Sequence, residues 1–214
     1  MSAQHPFHIA ISKEAVASMP VETFEGAITV VDTPADAAEA IRALAGEDVV
    51  GFDTETKPNF RKGQTNRLSL IQISTADRCY LFRVNKTGLT PDLIEFLQSP
   101  LPVKVGLSLK DDFHGLQRLA PLTPAGFEDL QDTVKHYDIT DASLQKIYAI
   151  LFGRRISKGQ RLTNWEAPLL TPAQMMYASL DAWSCLRIHR LFAAGGFDPA
   201  LSPWKVFPDE GETR

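Results

Sequence analysis

Short apolar runs in the first half of the chain predict a central β-sheet. Residues 49–53, 68–74 and 79–82 have the length and the β-branched or aromatic content of buried strands. The connections between them favour an antiparallel meander. A further run at 27–31 predicts an accessory strand ahead of these three.

The second half of the chain alternates between helical and strand-like periodicity. A helix at about 90–98, a strand at 103–107 and a helix at 110–119 are predicted in that order, and this alternation is typical of parallel α/β units. Thr171 followed by Pro172 marks the start of another helix, because both residue types are common at helix N-termini. The chain is therefore predicted to be an α/β protein whose helices flank a mixed sheet.

Two acids lie close together at the end of the first core strand, in the segment VVGFDTET. Side chains alternate along a strand, so Asp53 and Glu55 point to the same face, with α-carbons about 6.6 Å apart. Both carboxylates can then reach one small cation, and without a cation they would repel each other. A solvated pair of acids at a strand end is the alternative that this pair alone leaves open.

Two further groups of candidates lie on predicted helices. Tyr177 and Asp181 are four residues apart, which places them on one helical face. The alternative for this pair is a tyrosine at the edge of the core beside a surface aspartate. Asp111 and Asp112 diverge by about 100° around the helix axis, so they cannot share a face. We select Asp112, because Leu116 follows it one turn later on the side turned toward the domain body.

Taken in order, FDTET, KVGLSLKDD and YASLD resemble the motifs of the DEDDy group of 3'-5' exonucleases in the ribonuclease H-like superfamily. The resemblance implies a ribonuclease H-like mixed sheet of five to six strands flanked by helices. Arg161 and Asn164 make the chain more similar to the exonuclease domain of Werner-type helicases than to ribonuclease D. The chain is accordingly divided into an N-terminal extension at 1–26, an exonuclease domain at 27–194 and a tail at 195–214.

The resemblance also implies a site for two divalent cations. In that arrangement Asp53 bridges both ions, and Asp112 supports the second. Glu55 and Asp181 hold the first ion, which carries the attacking water. Oxygen ligands favour Mg²⁺ or Mn²⁺ over zinc. Tyr177 is expected to orient the water by a hydrogen bond, because a phenol with a pKa of about 10 is a poor proton acceptor at neutral pH.

Basic and aromatic residues near these motifs are candidates for contacts with a nucleic acid. For the basic residues, a solvated polar face is the alternative. Trp165 can stack on a base, but packing in the core is its alternative. A side chain beside Asp53 can wedge against the terminal nucleotide. The predicted substrate contacts are Phe52, Thr54, Lys57, Arg61, Lys158, Arg161 and Trp165.

Composition changes this picture in two respects. The net charge of −4 is unusual for a protein that binds phosphates, but two divalent cations on the four acids would bring the loaded protein close to neutral. Cys79 and Cys185 lie in apolar segments and are expected to be buried, reduced thiols. The N-terminus lacks a signal-peptide pattern and no apolar run is long enough to span a membrane, so a cytoplasmic protein is expected.

The resemblance implies a metal-dependent 3'-5' exonuclease that releases nucleoside 5'-monophosphates from single-stranded or frayed 3' ends. One alternative is a nucleic-acid-binding or scaffolding domain with negligible hydrolysis, and another is a small-nucleotide or dinucleotide hydrolase. The choice between DNA and RNA stays open, because no motif identifies a contact with the 2'-hydroxyl. The Werner-like Arg161 and Asn164 favour DNA slightly.

Overall fold

A six-stranded mixed sheet forms the centre of the computed structural model, which describes residues 6–59 and 66–208. The strands in these segments are β1 (His8–Ile9), β2 (Ala27–Val31), β3 (Val49–Thr56), β4 (Leu68–Ser74), β5 (Arg78–Phe82), β6 (Val103–Gly106), β7 (Phe127–Asp129) and β8 (Lys205–Val206). The helices are α1 (Lys13–Ser18), α2 (Pro34–Leu44), α3 (Val84–Thr87), α4 (Pro91–Gln98), α5 (Lys110–Gln117), α6 (Leu130–Lys135), α7 (Leu144–Phe152) and α8 (Pro172–Ala193), with a 3-10 turn at Pro199–Leu201.

The strand order in the sheet is β2-β5-β4-β3-β6-β7. β3, β4 and β5 pair antiparallel, which confirms the predicted meander. β6 joins β3 in parallel and β7 joins β6 in parallel, as the α/β alternation in the second half predicts. β2 pairs in parallel with β5 at the other edge. The predicted fold class, a mixed sheet of five to six strands flanked by helices, is confirmed.

Successive side chains of a strand point to opposite faces of the sheet. Different helices cover these two faces. Leu70 and Leu81 belong to the core beneath α7 and α8. Their neighbours Ile71 and Phe82 belong to a second core, formed with α2, α4 and α5. Every residue of β4 is buried, since this strand is covered on both sides.

The predicted start of α8 is confirmed by its capping interactions. The Thr171 hydroxyl accepts a hydrogen bond from the Gln174 backbone N–H, and the Gln174 side chain accepts one from the Thr171 N–H. This reciprocal pair satisfies two donors at the helix N-terminus. The cap fixes where the helix begins, and therefore which of its residues face the sheet.

The segments at the two ends of the described chain pack on the same body. β1 and β8 form a separate two-stranded antiparallel sheet. Ile9, Ile11 and Phe24 are almost fully buried in the core under α8. Cys79 and Cys185 are free and buried, as predicted. Within the described segments, none of the helices combines the length and the apolar character needed to cross a membrane.

Candidate active site

Helix α8 approaches β3 at a point where a side chain would not fit. A β-carbon on Gly51 would lie 1.9 Å from the carbonyl oxygen of Ala182. Any other residue at this position would therefore hold the helix away from the strand. Asp53 lies two residues further along the strand on the same face, and Asp181 immediately precedes Ala182. The close contact thus brings the carboxylates of Asp53 and Asp181 together.

Three carboxylates converge where β3 meets α8. Asp53, Glu55 and Asp181 each offer one oxygen, and these oxygens lie within 4.8 Å of one another. Asp181 is only 5% exposed, and its Oδ1 has no hydrogen-bond partner in the described parts of the chain. A buried carboxylate oxygen without a donor is costly. The donor set, which consists of oxygens alone, fits a divalent cation of the Mg²⁺ or Mn²⁺ type.

Asp112 reaches the same region from the other layer of the fold. It lies in the first turn of α5 and is partly buried, whereas Asp111 is exposed. The Thr54 hydroxyl donates a hydrogen bond to Asp112 Oδ1. The oxygens of Asp112 are not among the three that lie within 4.8 Å of one another, but its charge raises the pKa values of Asp53 and Glu55.

Burial raises the pKa values of all four acids, and repulsion from neighbouring acids adds to this for Asp53, Glu55 and Asp112. Burial, followed by repulsion from Asp181 and Asp112, raises the pKa of Glu55 to about 8. Burial raises the pKa of Asp181 to about 7 and that of Asp112 to about 6. The pKa of Asp53 lies well above its usual range, because of burial and repulsion by the other three acids. The protein therefore concentrates negative charge where a cation would relieve it.

Tyr177 lies one helical turn before Asp181 and is 6% exposed. The interaction between its hydroxyl and the Asp181 carboxylate lowers the pKa of Asp181. Burial and the nearby acids move the pKa of Tyr177 far above its ordinary value. At neutral pH the phenol therefore stays protonated, and it can donate a hydrogen bond but cannot act as a base.

Two predicted substrate contacts are corrected by the structure. Phe52 is fully buried and packs edge-on against Phe127, with ring centroids 5.0 Å apart. Its side chain points away from the face that carries Asp53, because the two residues are neighbours on one strand. Trp165 is also fully buried, with its ring 6.0 Å from that of Tyr177. Both rings belong to the core and offer no surface to a nucleotide.

Two exposed cations flank the acids on the side of α8. Lys158 lowers the pKa of Asp181 by its charge, and Arg161 does the same to Glu55. The segment that carries them is tied down at its far end, where the Gln174 side-chain amide donates to the Asn164 carbonyl oxygen at 3.2 Å. The structure thus brings Lys158 near Asp181 and Arg161 near Glu55.

Thr54 and Lys57 are the remaining predicted contacts that lie within the described residues. Thr54 contacts Asp112, as described above. The Lys57 ammonium forms an ion pair with Glu166 Oε2 at 3.0 Å. Arg61 lies outside the described residues, so the prediction for it stays a prediction.

Asp129 is a residue at this site that the sequence patterns did not reveal. It ends β7, and its carboxylate accepts hydrogen bonds of 2.9 Å from the backbone N–H groups of Ser108, Leu109 and Gln131. Ser108 has a φ of 63°, which is uncommon for a residue other than glycine. Asp129 therefore holds the connection from β6 to α5, and through it Asp112. An acid between a strand and a helix was the available signal, but it is also an ordinary N-cap pattern.

Gln72 is a second residue at this site that the sequence patterns did not reveal. It lies directly opposite Asp53 in the β3–β4 ladder, and directly opposed residues point to the same face. It is fully buried, and neither atom of its amide has a hydrogen-bond partner among the described residues. The face that carries the acids is therefore more polar than the alternation of apolar residues in β4 suggests.

Comparison with known proteins identifies relatives of this chain. A family model described as 3'-5' exonuclease matches residues 28–194. The mouse bifunctional 3'-5' exonuclease/ATP-dependent helicase WRN is 29% identical over 153 residues, which is 69% of this chain but 11% of that protein. A 3'-5' exonuclease of Arabidopsis thaliana is 26% identical over 170 residues, covering 77% of this chain and 57% of the relative. The chain therefore spans only part of the length of these curated relatives.

Solved structures share the fold. The Nibbler EXO domain of Aedes aegypti superposes with a TM-score of 0.73 at 22% identity, covering 84% of this chain and 96% of that one. RNase D of Escherichia coli gives a TM-score of 0.70 at 20% identity, covering 78% of this chain and 44% of that one. At these identities the likeness concerns the fold.

Replacement of Asp129 by alanine is expected to lower both stability and metal affinity. The substitution leaves three backbone N–H groups without their acceptor, which costs about 2–3 kcal/mol, and it frees the connection that positions Asp112. Urea unfolding and calorimetric titration with Mn²⁺ measure the two effects. Asp141→Ala is the matched control, because Asp141 accepts from the Ile11 N–H in another part of the fold. Equal loss of metal affinity in both variants would contradict the assignment.

The stability of the metal-free protein is expected to fall as pH rises from about 4 to about 8. In this window the folded acids hold protons that the unfolded chain has already released, because their folded pKa values are raised. Thermal unfolding in chelator at pH 5 and pH 8, compared with Asp53→Asn, isolates the contribution of the cluster. Mg²⁺ at pH 8 is expected to restore the loss. If the thermal stability of the wild type and that of Asp53→Asn changed equally between pH 5 and pH 8, this account would be refuted.

Proposed function

The chain belongs to the 3'-5' exonuclease family, and from that membership we propose that it hydrolyses phosphodiester bonds at nucleic-acid 3' ends and releases nucleoside 5'-monophosphates. The observation that carries the proposal is the convergence of Asp53, Glu55 and Asp181 from a strand and a helix that are far apart in the sequence. Asp112 and Tyr177 border this cluster. The five residues are those that the DEDDy resemblance assigns to the reaction.

The proposed cofactors are two divalent cations, Mg²⁺ or Mn²⁺. Asp53, Glu55 and Asp181 would hold one, and Asp112 together with Asp53 would hold the other. When bound, such ions lower the pKa of water and neutralise the charge that develops on the phosphate. The unpartnered Oδ1 of Asp181 and the raised pKa values of the acids support this assignment.

The other residues of the site are proposed to position the substrate and the attacking water. Tyr177 stays protonated, so its hydroxyl can donate a hydrogen bond to the water or to a phosphate oxygen. Lys158 and Arg161 lie beside the acids and would attract the scissile phosphate. Each group thus acts by orientation and charge, which is how most of the barrier to phosphoryl transfer is lowered.

The proposed substrate is a single-stranded or frayed 3' end. Asp181 is buried, and Asp53 and Glu55 are partly buried, so the reacting phosphate must enter below the protein surface. An unpaired terminal nucleotide can do so more readily than a paired one. We also propose that residues 27–194 carry the activity, and that the described parts of the flanking segments at 1–26 and 195–214 support this domain, since Ile9 and Ile11 pack into its core.

A metal-dependent ladder is the expected product pattern. DNA and RNA strands of matched sequence, labelled at the 5' end, should shorten from the 3' end with Mg²⁺ or Mn²⁺ and stay intact in chelator. Asp53→Asn should reduce the products to background, because it removes the carboxylate that is proposed to hold both ions. Binding without products would favour a nucleic-acid-binding domain, and faster cleavage of the shortest strands would favour a hydrolase of short oligonucleotides.

Tyr177→Phe is expected to lower kcat by roughly 100-fold, the usual effect of removing one hydrogen-bond donor from a reacting group. Affinity for Mn²⁺ should stay nearly unchanged, because the four carboxylates are kept. Steady-state kinetics and calorimetric titration measure the two quantities. Tyr148→Phe makes the same chemical change in a buried tyrosine that bonds Glu22 instead, and it should leave kcat unaltered. An unchanged kcat in Tyr177→Phe would remove this residue from the mechanism.

A further inference from the structure

A cavity of about 570 Å³ is lined by residues adjacent in sequence to Glu55 and Asp112. Its walls come from the end of β3, from the start of β4 and from α5. They consist mostly of polar and basic residues. The described lining residues that carry charge or a side-chain amide are Lys57, Asn59, Asn66, Arg67, Asp111 and Arg118.

The cavity adjoins the proposed active site at two points. Thr56, in its wall, directly follows Glu55 on β3. Asp111, also in the wall, directly precedes Asp112 on α5. The hydrogen bond from Thr54 to Asp112 joins the two elements between these points. A strand whose 3' end reaches the acids can therefore continue into this cavity.

Cations from separate segments converge on the cavity. Arg67 precedes β4, Arg118 follows α5, and both are exposed. Lys57 is paired with Glu166, and Asp111 adds one negative charge. The described lining residues therefore carry more positive than negative formal charge.

The positive charge is not a general property of the surface of this protein. A second cavity, of about 450 Å³, lies near the opposite end of β3. Arg42 contributes its one lining cation, while Asp92 and Glu95 contribute two acids. The cavity next to the acids is thus the more basic of the two, in a chain whose net charge is −4.

One wall of the basic cavity is held in place by hydrogen bonds. The Asn66 side-chain amide donates to the Lys57 carbonyl oxygen at 2.9 Å and to the Pro58 carbonyl oxygen at 3.3 Å. The backbone before β4 is thereby fixed to the backbone after β3. Arg67 projects from this braced segment, which limits the entropy lost when it binds a ligand.

The chemistry of the proposed reaction identifies the ligand. Water attacks the terminal phosphodiester, the bond to the 3'-oxygen of the preceding nucleotide breaks, and that oxygen takes up a proton. The released nucleotide carries only the scissile phosphate, so every other phosphate belongs to the retained strand. We infer that the basic cavity binds phosphate groups of the retained strand on the 5' side of the scissile bond, an inference that rests on the proposed function.

This role separates binding of the strand from the chemical step. Phosphate contacts made equally in the ground state and the transition state lower KM and leave kcat unchanged. A substrate with a single phosphate gains nothing from them. Each contact also adds about 0.7 to the slope of log affinity against log salt for a single strand.

The inference is tested with Arg67→Ala on two substrates. On a long single strand the variant should raise KM about three- to tenfold, as expected for loss of one charged contact, with kcat unchanged. On the p-nitrophenyl ester of thymidine 5'-monophosphate, which has one phosphate, both constants should match those of the wild type. Arg67→Lys should restore most of the affinity, because it keeps the charge.

Neutral linkages in the substrate give an independent measurement. Methylphosphonates on the 5' side of the scissile bond should raise KM for the wild type and have a smaller effect on Arg67→Ala, since the two changes remove the same contact. Arg42→Ala removes one exposed arginine at the far end of the sheet, and it should behave as wild type throughout.

Each other outcome has a distinct meaning. Equal losses on both substrates, or no loss on either, would overturn the role of the cavity and leave the exonuclease proposal standing. Fully additive effects of Arg67→Ala and the methylphosphonates would also overturn it. A wild type that is inactive on both substrates with Mg²⁺ and with Mn²⁺ would overturn the proposed function, and the inference with it.

Discussion

The contact between α8 and β3 at Gly51 is the constraint on which the rest of the site depends. It forces mutually repelling carboxylates together, and each unit by which a pKa is raised corresponds to about 1.4 kcal/mol. Burial of one large aliphatic side chain contributes about 1.5–3 kcal/mol. Leu180, Leu186 and Ile188 of α8 are all at least 97% buried. Packing of the helix therefore opposes the cost of bringing the acids together.

The acids come from both layers of the fold. Asp181 lies on α8, above one core, while Asp112 lies on α5, above the other. β3 separates the two cores and supplies Asp53 and Glu55. The four carboxylates consequently come together only when both layers are packed on the sheet. The site therefore forms only in the fully folded domain.

The sequence predicts those parts of this arrangement that depend on local periodicity. Alternation places Asp53 and Glu55 on one face, and the Thr171 cap fixes the register of α8. Other features depend on distant segments and leave no local pattern. Trp165 lies in an irregular segment, and it is covered because the Arg83 side chain bonds the backbone around it, including the Pro168 carbonyl oxygen at 2.9 Å. The requirement for glycine at position 51 likewise arises from contact with Ala182, which is distant in the sequence.

The small sheet of β1 and β8 has a mechanical consequence. His8 pairs with Val206 and Ile9 with Lys205 in antiparallel register, so the chain leaves both strands at the same end of the pair. Tension applied between residues 6 and 208 would separate His8 from Val206 before Ile9 from Lys205. Because β1 and β8 form a sheet of their own, their separation would break none of the strand pairing that positions Asp53 and Glu55.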